Sequence, residues 1–179
     1  IDPRTLTVEM AVALADSGIN RASLGVQDLD HAVQVAINRV QPFETVAAAA
    51  ADLRRVGISA LNFDLIYGLP LQTVAGFLAT VDRAVSLEPS RIALFGYAHV
   101  PWMKRHQKLL ELYPMPDAAA RVALASAARR RLQDHGYMWI GLDHFARPDD
   151  ELSRAAADGT LRRNFQGYST DTSDALLGF

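Results

Sequence analysis

Three times along the chain, a stretch with helical spacing of apolar residues ends in glycine and gives way to a short apolar run. Gly18 precedes INRASLGVQ, Gly57 precedes ISALNFDLIYG and Gly136 precedes YMWIGLD. Glycine suits the left-handed residue that closes a helix, and the runs after it have strand length. A fourth run, RIALFGYAHV at 91–100, follows Pro89, where a helix is expected to end. VEMAVALADSG, FETVAAAAADLRRVG, VAGFLATVDRAVSLEP and PDAAARVALASAARRRLQDHG predict the helices, the last being the longest. Single strands separated by alanine-rich helices predict an α/β fold of parallel strands joined by right-handed crossover helices. No low-complexity linker interrupts the pattern, so residues 1–179 read as one domain.

The strand faces sharpen this picture. Leu61, Phe63 and Leu65 alternate with Asn62, Asp64 and Ile66, while Ala22, Leu24 and Val26 alternate with Arg21, Ser23, Gly25 and Gln27. A doubly wound sheet is usually apolar on both faces. One face of polar and small residues suits the lining of a wide barrel instead. About four strands are too few for a closed barrel of eight. The expected architecture is therefore a section of a larger barrel.

Composition narrows the function classes. A chain of 179 residues, 50% hydrophobic and 21% charged, can bury one sizeable core. The net charge of -2 gives no electrostatic reason to expect nucleic acid or an anionic membrane as partner. The lack of cysteine excludes disulfides and thiolate metal sites within these residues, and it fits a reducing, cytoplasmic setting. No apolar run approaches the roughly 20 residues that cross a bilayer. The opening IDPRTL has neither a basic leader nor an initiator methionine, so the chain reads as a piece of a longer one.

Ligands in such folds gather at the carboxyl ends of the strands. Here those ends are Gln27-Asp28, Asp64 to Gly68, Tyr97 to His99, and Asp143-His144. Asp28 and Asp30 suit either a helix cap or a ligand contact. Asp64 lies within its strand on the polar face, where an unpaired carboxylate is costly to bury. It suits a ligand role, since a carboxylate can accept hydrogen bonds from two vicinal hydroxyls, as on a ribose. The five histidines form no His-x-His or HExxH pattern, so no metal site is assigned. GLP at Gly68 is a turn signal and not a phosphate loop. Arg129, Arg130 and Arg131 lie late in a helix, where cations complement its dipole. In GLDHFARPDDEL (141–152), Pro148, Asp149 and Asp150 predict a helix start, which leaves residues 143–147 unexplained.

The segments GVQD (25–28), NR (38–39), FDLIYGLPLQT (63–73), YAHVP (97–101), DHFARPDDEL (143–152) and RNFQGY (163–168) together resemble the oxygen-independent coproporphyrinogen III oxidases. The match runs along essentially the whole chain in the family's order. It implies a radical S-adenosylmethionine (SAM) enzyme, folded as an incomplete (β/α)6 barrel. It also implies a [4Fe–4S] cluster that cleaves SAM to a 5′-deoxyadenosyl radical. The radical takes hydrogen from the β-carbon of a propionate, and loss of an electron and CO2 leaves a vinyl group. Two propionates of coproporphyrinogen III react, giving protoporphyrinogen IX for haem synthesis, with an electron donor serving the cluster.

By the same resemblance Gln27, Arg39, Asp64, Ile66 and Ala98 correspond to SAM contacts. Arg39 would clamp the methionyl carboxylate, Asp64 the ribose, and Ile66 and Ala98 the adenine. Gln166 corresponds to a contact of a second SAM or the substrate pocket, and Asp143, His144 and Arg147 are assigned to the same pocket. Arg147, Arg162 and Arg163 are candidates for the substrate carboxylates, with solvent-facing arginines the alternative. The role of His144 is open, and no catalytic residue is assigned.

The family's CxxxCxxC triad is absent from these residues, as are its glycine-rich methionyl segment and its C-terminal region. The chain alone is therefore expected to be inactive. The main rival is the haem chaperone branch of the same superfamily, which has a shorter Arg-Pro turn and lacks NFQGY. Others are an unrelated (β/α) enzyme acting on a phosphorylated or sugar substrate, and a chain that self-associates through open sheet edges.

Overall fold

Helix ends set the frame. In the computed structural model, which describes residues 1–164 and 167–173, Thr7 caps α1 (Val8–Asp16) by accepting the Met10 amide at 3.2 Å. Gly18, at φ +82°, closes it with paired bonds, Ile19 N to Leu14 O and Gly18 N to Ala15 O. These satisfy carbonyls that the helix end would otherwise leave orphaned. β1 (Arg21–Gln27) follows, then a short α2 (His31–Ala36) capped by Asp30, and α3 (Phe43–Arg55), which Gly57 closes as Gly18 closes α1.

β2 (Ala60–Tyr67) leads through the Gly68 turn to α4 (Val74–Ser86), capped by Thr73. Pro89 has no N–H to complete the paired closure of α4, and Glu88 takes the left-handed position at φ +52°. After β3 (Arg91–Gly96) comes an irregular stretch with a 3-10 segment, Arg105–Leu112. α5 (Ala118–Asp134) follows, capped by Asp117 and, as expected, the longest helix among the described residues.

β1, β2 and β3 are parallel and adjacent, as the βαβ pattern predicts. The run after Gly136 differs. It makes β4 (Met138–Gly141), turns at Leu142-Asp143 and returns as β5 (His144–Ala146). β5 pairs antiparallel with β3, Ala93 facing His144 and Ile92 facing Phe145, and pushes β4 to the sheet edge. The turn uses Gly141 at φ +140° and Leu142 at φ +46°, and Trp139 Nε1 donates to Leu142 O at 3.0 Å. Gly141 and Asp143 suit a turn, but leucine at a left-handed position does not, so the hairpin lacks the Asn-Gly or Asp-Gly pattern that would announce it. α6 (Glu151–Ala157) is capped by Asp150, the helix start expected at Pro148–Asp150. A two-stranded sheet of β6 (Arg162–Asn164) and β7 (Gly167–Ser169) follows.

All the long helices cover one face of the sheet. Leu24, Leu61, Phe63, Leu65 and Ile92 pack against Val46, Leu53, Phe77, Val81, Leu124 and Leu132 in one continuous core. The other face carries Arg21, Ser23, Asn62, Asp64, Arg91 and His144 and lines open space. A curved sheet with helices outside and polar residues inside is a section of an α/β barrel, as the alternation predicts. No helix among the described residues is long and apolar enough to cross a membrane.

Candidate functional site

Two cavities occupy the polar side of the sheet. One, of about 420 Å³, lies at the carboxyl ends of β1 and β2 and is lined by Gln27, Arg39, Ile66, Leu69 and Tyr97 among others. The second, of about 350 Å³, lies lower on the face and is lined by Arg21, Ser23, Asp64, Arg91, His144 and Tyr168 among others.

Arg39 joins the upper cavity to the strand. Its Nη2 donates to Gly25 O at 3.0 Å and its Nη1 to Asp2 Oδ2 at 3.0 Å. The Arg4 side chain, hydrogen-bonded to Asp2, holds that carboxyl far below the ordinary range, so Asp2 stays anionic beside Arg39. The buried Nε of Arg39 has no hydrogen-bond partner among the described residues. A Cβ at Gly25 would sit 2.8 Å from Gln27 Nε2 and 3.3 Å from Arg39 Nη2, so the glycine lets the ends of these two long side chains lie close against the strand. Arg39 lines the upper cavity, where a guanidinium suits a small anionic group such as a carboxylate.

Asp64 faces Gly25 across the β1–β2 pairing. Its Oδ2 accepts the Ser23 hydroxyl at 2.9 Å and its Oδ1 the Asn62 amide at 2.7 Å. The burial penalty is thus met locally, with acceptor capacity left on both oxygens. Burial still dominates and pushes the carboxyl above its ordinary value, against the pull of those two bonds. Gln27, Arg39 and Ile66 therefore share the upper cavity while Asp64 lines the lower one, with Gly25 between them. Ala98 adjoins the upper cavity through its carbonyl, which accepts Gln107 Nε2 at 3.0 Å.

His144, on β5, enters the lower cavity. It meets Phe95 and Tyr168 edge-on, with ring centroids 6.4 and 5.8 Å away. Its Nδ1 is buried without a hydrogen-bond partner among the described residues, and burial lowers its pKa. Asp143 sits in the hairpin turn and its carbonyl accepts the Leu94 amide at 2.7 Å. Arg147 is not brought to His144. Because β5 runs backwards, Arg147 lies at the amino ends of the parallel strands, its amide bonded to Ser90 O and its side chain facing a separate cavity of about 390 Å³. Arg162 and Arg163 are exposed on β6, the latter 6.0 Å from the Tyr168 ring. Gln166 lies outside the described residues.

Two clusters escape sequence reasoning. Asp28, only 1% exposed, caps no helix; it accepts the Asp30 amide, the Thr80 hydroxyl at 2.7 Å and Gln72 Nε2 at 2.6 Å. Gln72 also donates to Ile66 O and accepts the Gly68 and Leu69 amides, so one side chain locks the end of β2 to the end of β1. The polar letters of GLPLQT were the available signal. At the other end, Asp150 both caps α6 and pairs with Arg91 at 2.8 Å and Arg21 at 3.5 Å, closing the amino end of the polar face.

Comparison with known proteins agrees with this architecture. Residues 1–84 match the radical SAM superfamily. The oxygen-independent coproporphyrinogen III oxidase of Bradyrhizobium diazoefficiens is 56% identical over 179 residues, 100% of this chain and 40% of that protein. The Helicobacter pylori enzyme of the same name is 45% identical over 178 residues, 99% of this chain and 39% of its own. The solved structure of Escherichia coli coproporphyrinogen III oxidase, described as a radical SAM enzyme, superposes with a TM-score of 0.92 at 40% identity, covering 96% of this chain and 40% of that one. The chain thus spans about two fifths of the length of these relatives, and its fold is that of the corresponding part of the radical SAM enzyme.

Proposed function

We propose that this chain, homologous over its whole length to oxygen-independent coproporphyrinogen III oxidases, belongs to a protein that performs the same reaction. Two propionate side chains of coproporphyrinogen III are oxidatively decarboxylated to vinyl groups in haem biosynthesis. An electron donor and a cytoplasmic setting belong to the same reading.

The observation that carries it is the adjacency of Arg39 and Asp64 on either side of Gly25, on a sheet with this fold. These residues fit SAM. Arg39, which lines the cavity, would hold the methionyl carboxylate through its guanidinium. Asp64, kept in place by Ser23 and Asn62, would accept the two ribose hydroxyls and so orient the sugar. Gln27 would contact the ligand from the end of β1, while Ile66 and Ala98 flank the adenine and keep water from it. SAM held by these residues would, on one-electron reduction, supply the hydrogen-abstracting radical. Without cysteine these residues do not fit a thiolate-held cluster, and no step here depends on how it is ligated. His144, Asp143 and Gln166 are assigned to a second SAM or to the substrate pocket. Burial keeps His144 neutral near pH 7, so it would offer a hydrogen bond without a charge.

The test uses the full-length protein, anaerobically reconstituted with iron and sulfide and given SAM, a reductant and coproporphyrinogen III. Sequential loss of two CO2 with formation of 5′-deoxyadenosine is the expected outcome. Tight haemin binding with no decarboxylation would overturn it.

A further inference from the structure

Leu112, Trp102 and Met103 are 79, 75 and 72% exposed, more than any other large hydrophobic side chain among the described residues. All lie on the stretch after β3, together with Leu109 at 66%. Exposed apolar groups concentrated in one segment mark a binding surface more often than chance. The segment is not a loose loop. Gln107 Oε1 accepts the Val100 amide at 2.6 Å, and its Nε2 bonds Ala98 O, pinning the segment to the chain that leaves β3.

Its charges are equally uneven. Lys104, Arg105 and Lys108 are exposed and interleaved with the apolar side chains, and none takes part in an ion pair among the described residues. The segment's acid, Glu111, contacts His99 at 3.1 Å, leaving three cations against one carboxylate. The surface is also continuous with the candidate site, since His106, Gln107, Leu109 and Leu110 form one wall of the cavity that Arg39 and Ile66 line.

An occupant of matching chemistry is broad and apolar with several carboxylates at its edge, which describes coproporphyrinogen III. We propose that residues 101–112 form the docking platform for this tetrapyrrole. Trp102, Met103, Leu109 and Leu112 cover the macrocycle, while Lys104, Arg105 and Lys108 take propionates at its rim. This rests on the decarboxylase reading above and adds to it the surface that presents the substrate to the SAM cavity. Arg147, earlier a candidate for the same carboxylates, lies at the far end of the strands from this surface.

Lys104 and Lys108 are the only lysines in the chain, so lysine chemistry reports on this segment alone within it. The full-length, cluster-loaded protein would be acetylated with and without coproporphyrin III, the unreactive oxidised porphyrin, and both lysines read by peptide mass. Both should label freely in the protein alone, be protected several-fold by the porphyrin, and be unaffected by SAM. In turnover, a Lys104→Glu, Lys108→Glu double variant should raise KM for coproporphyrinogen III by about tenfold or more, the worth of a charge-assisted hydrogen bond, with SAM affinity and kcat little changed. Lysines that resist labelling before porphyrin is added would show that another part of the chain covers the segment, and would overturn the proposal. Labelling unchanged by porphyrin during normal decarboxylation would overturn the platform and leave the activity standing. Absence of both decarboxylation and porphyrin retention in the wild-type protein would overturn both.

Discussion

Replacing Thr80 by valine changes one buried hydroxyl for a methyl of nearly the same shape. That hydroxyl, on a residue 2% exposed, donates to Asp28 Oδ1 at 2.7 Å and accepts the Leu29 amide at 3.1 Å. The change removes a hydrogen bond to a charged group, roughly 1.5–3 kcal/mol, and leaves a buried N–H without a partner, roughly 1–3 kcal/mol. The added methyl returns about 0.8 kcal/mol of burial. The net loss should be about 3 kcal/mol, read as the shift in unfolding free energy in urea for the full-length protein. Thr80→Ser, which keeps the hydroxyl, should cost only about 1 kcal/mol, as deletion of a buried methyl does.

The pH dependence has a definite sign. Burial holds the Asp28 pKa above its ordinary value, so the stability that this group contributes is complete below its unfolded pKa and is lost as pH rises through the folded one. Thr80 bonds the ionised form and offsets part of that loss, so the valine penalty should shrink as pH falls through the folded pKa. A Thr80→Val penalty below about 1 kcal/mol at pH 7, or one equal to that of Thr80→Ser, would refute the reasoning that this hydroxyl ties β1 to α4.

Glu88→Gly should stabilise the protein by about 0.5–1 kcal/mol in the same assay, because it removes a left-handed non-glycine residue and keeps the carbonyl that Arg54 bonds at 3.0 Å. Asp64→Asn and Arg39→Lys should each weaken SAM binding about tenfold or more in equilibrium dialysis with labelled SAM, the first by turning an acceptor into a donor and the second by losing the planar fork. His144 has a lowered pKa from burial, so its contribution is present above its unfolded pKa and lost as pH falls through the folded one. Urea midpoints taken from pH 7.5 to 5 should therefore fall less steeply in His144→Gln than in the wild type.

Local chemistry was enough to place the helices, the three parallel strands and the faces of the first two. Period-two alternation shows without any partner strand, and it put Leu61, Phe63 and Leu65 in the core and Asp64 on the polar side, where the structure has them. Glycines after helices and the Asp150 start of α6 are likewise signals within a few residues. Order and spacing of the longer motifs also carried the likeness to the coproporphyrinogen oxidases, because such words span the strand ends that form a site.

Pairing decided the rest. A run such as YMWIGLDHFA does not state whether it continues or doubles back, and only the hydrogen bonds of β5 to β3 send His144 into the polar cavity and Arg147 to the opposite end. Asp28 and Asp30 are two residues apart and alike in type, yet Asp30 caps α2 while Asp28 is buried under Thr80 and Gln72, which come from 52 and 44 residues away. Sequence by itself determined the long helices and the parallel strands, since capping and periodicity act over one or two helical turns. Tertiary structure decided which polar groups meet, because a buried carboxylate or guanidinium takes its partner from whatever chain the sheet register brings within about 3 Å of it.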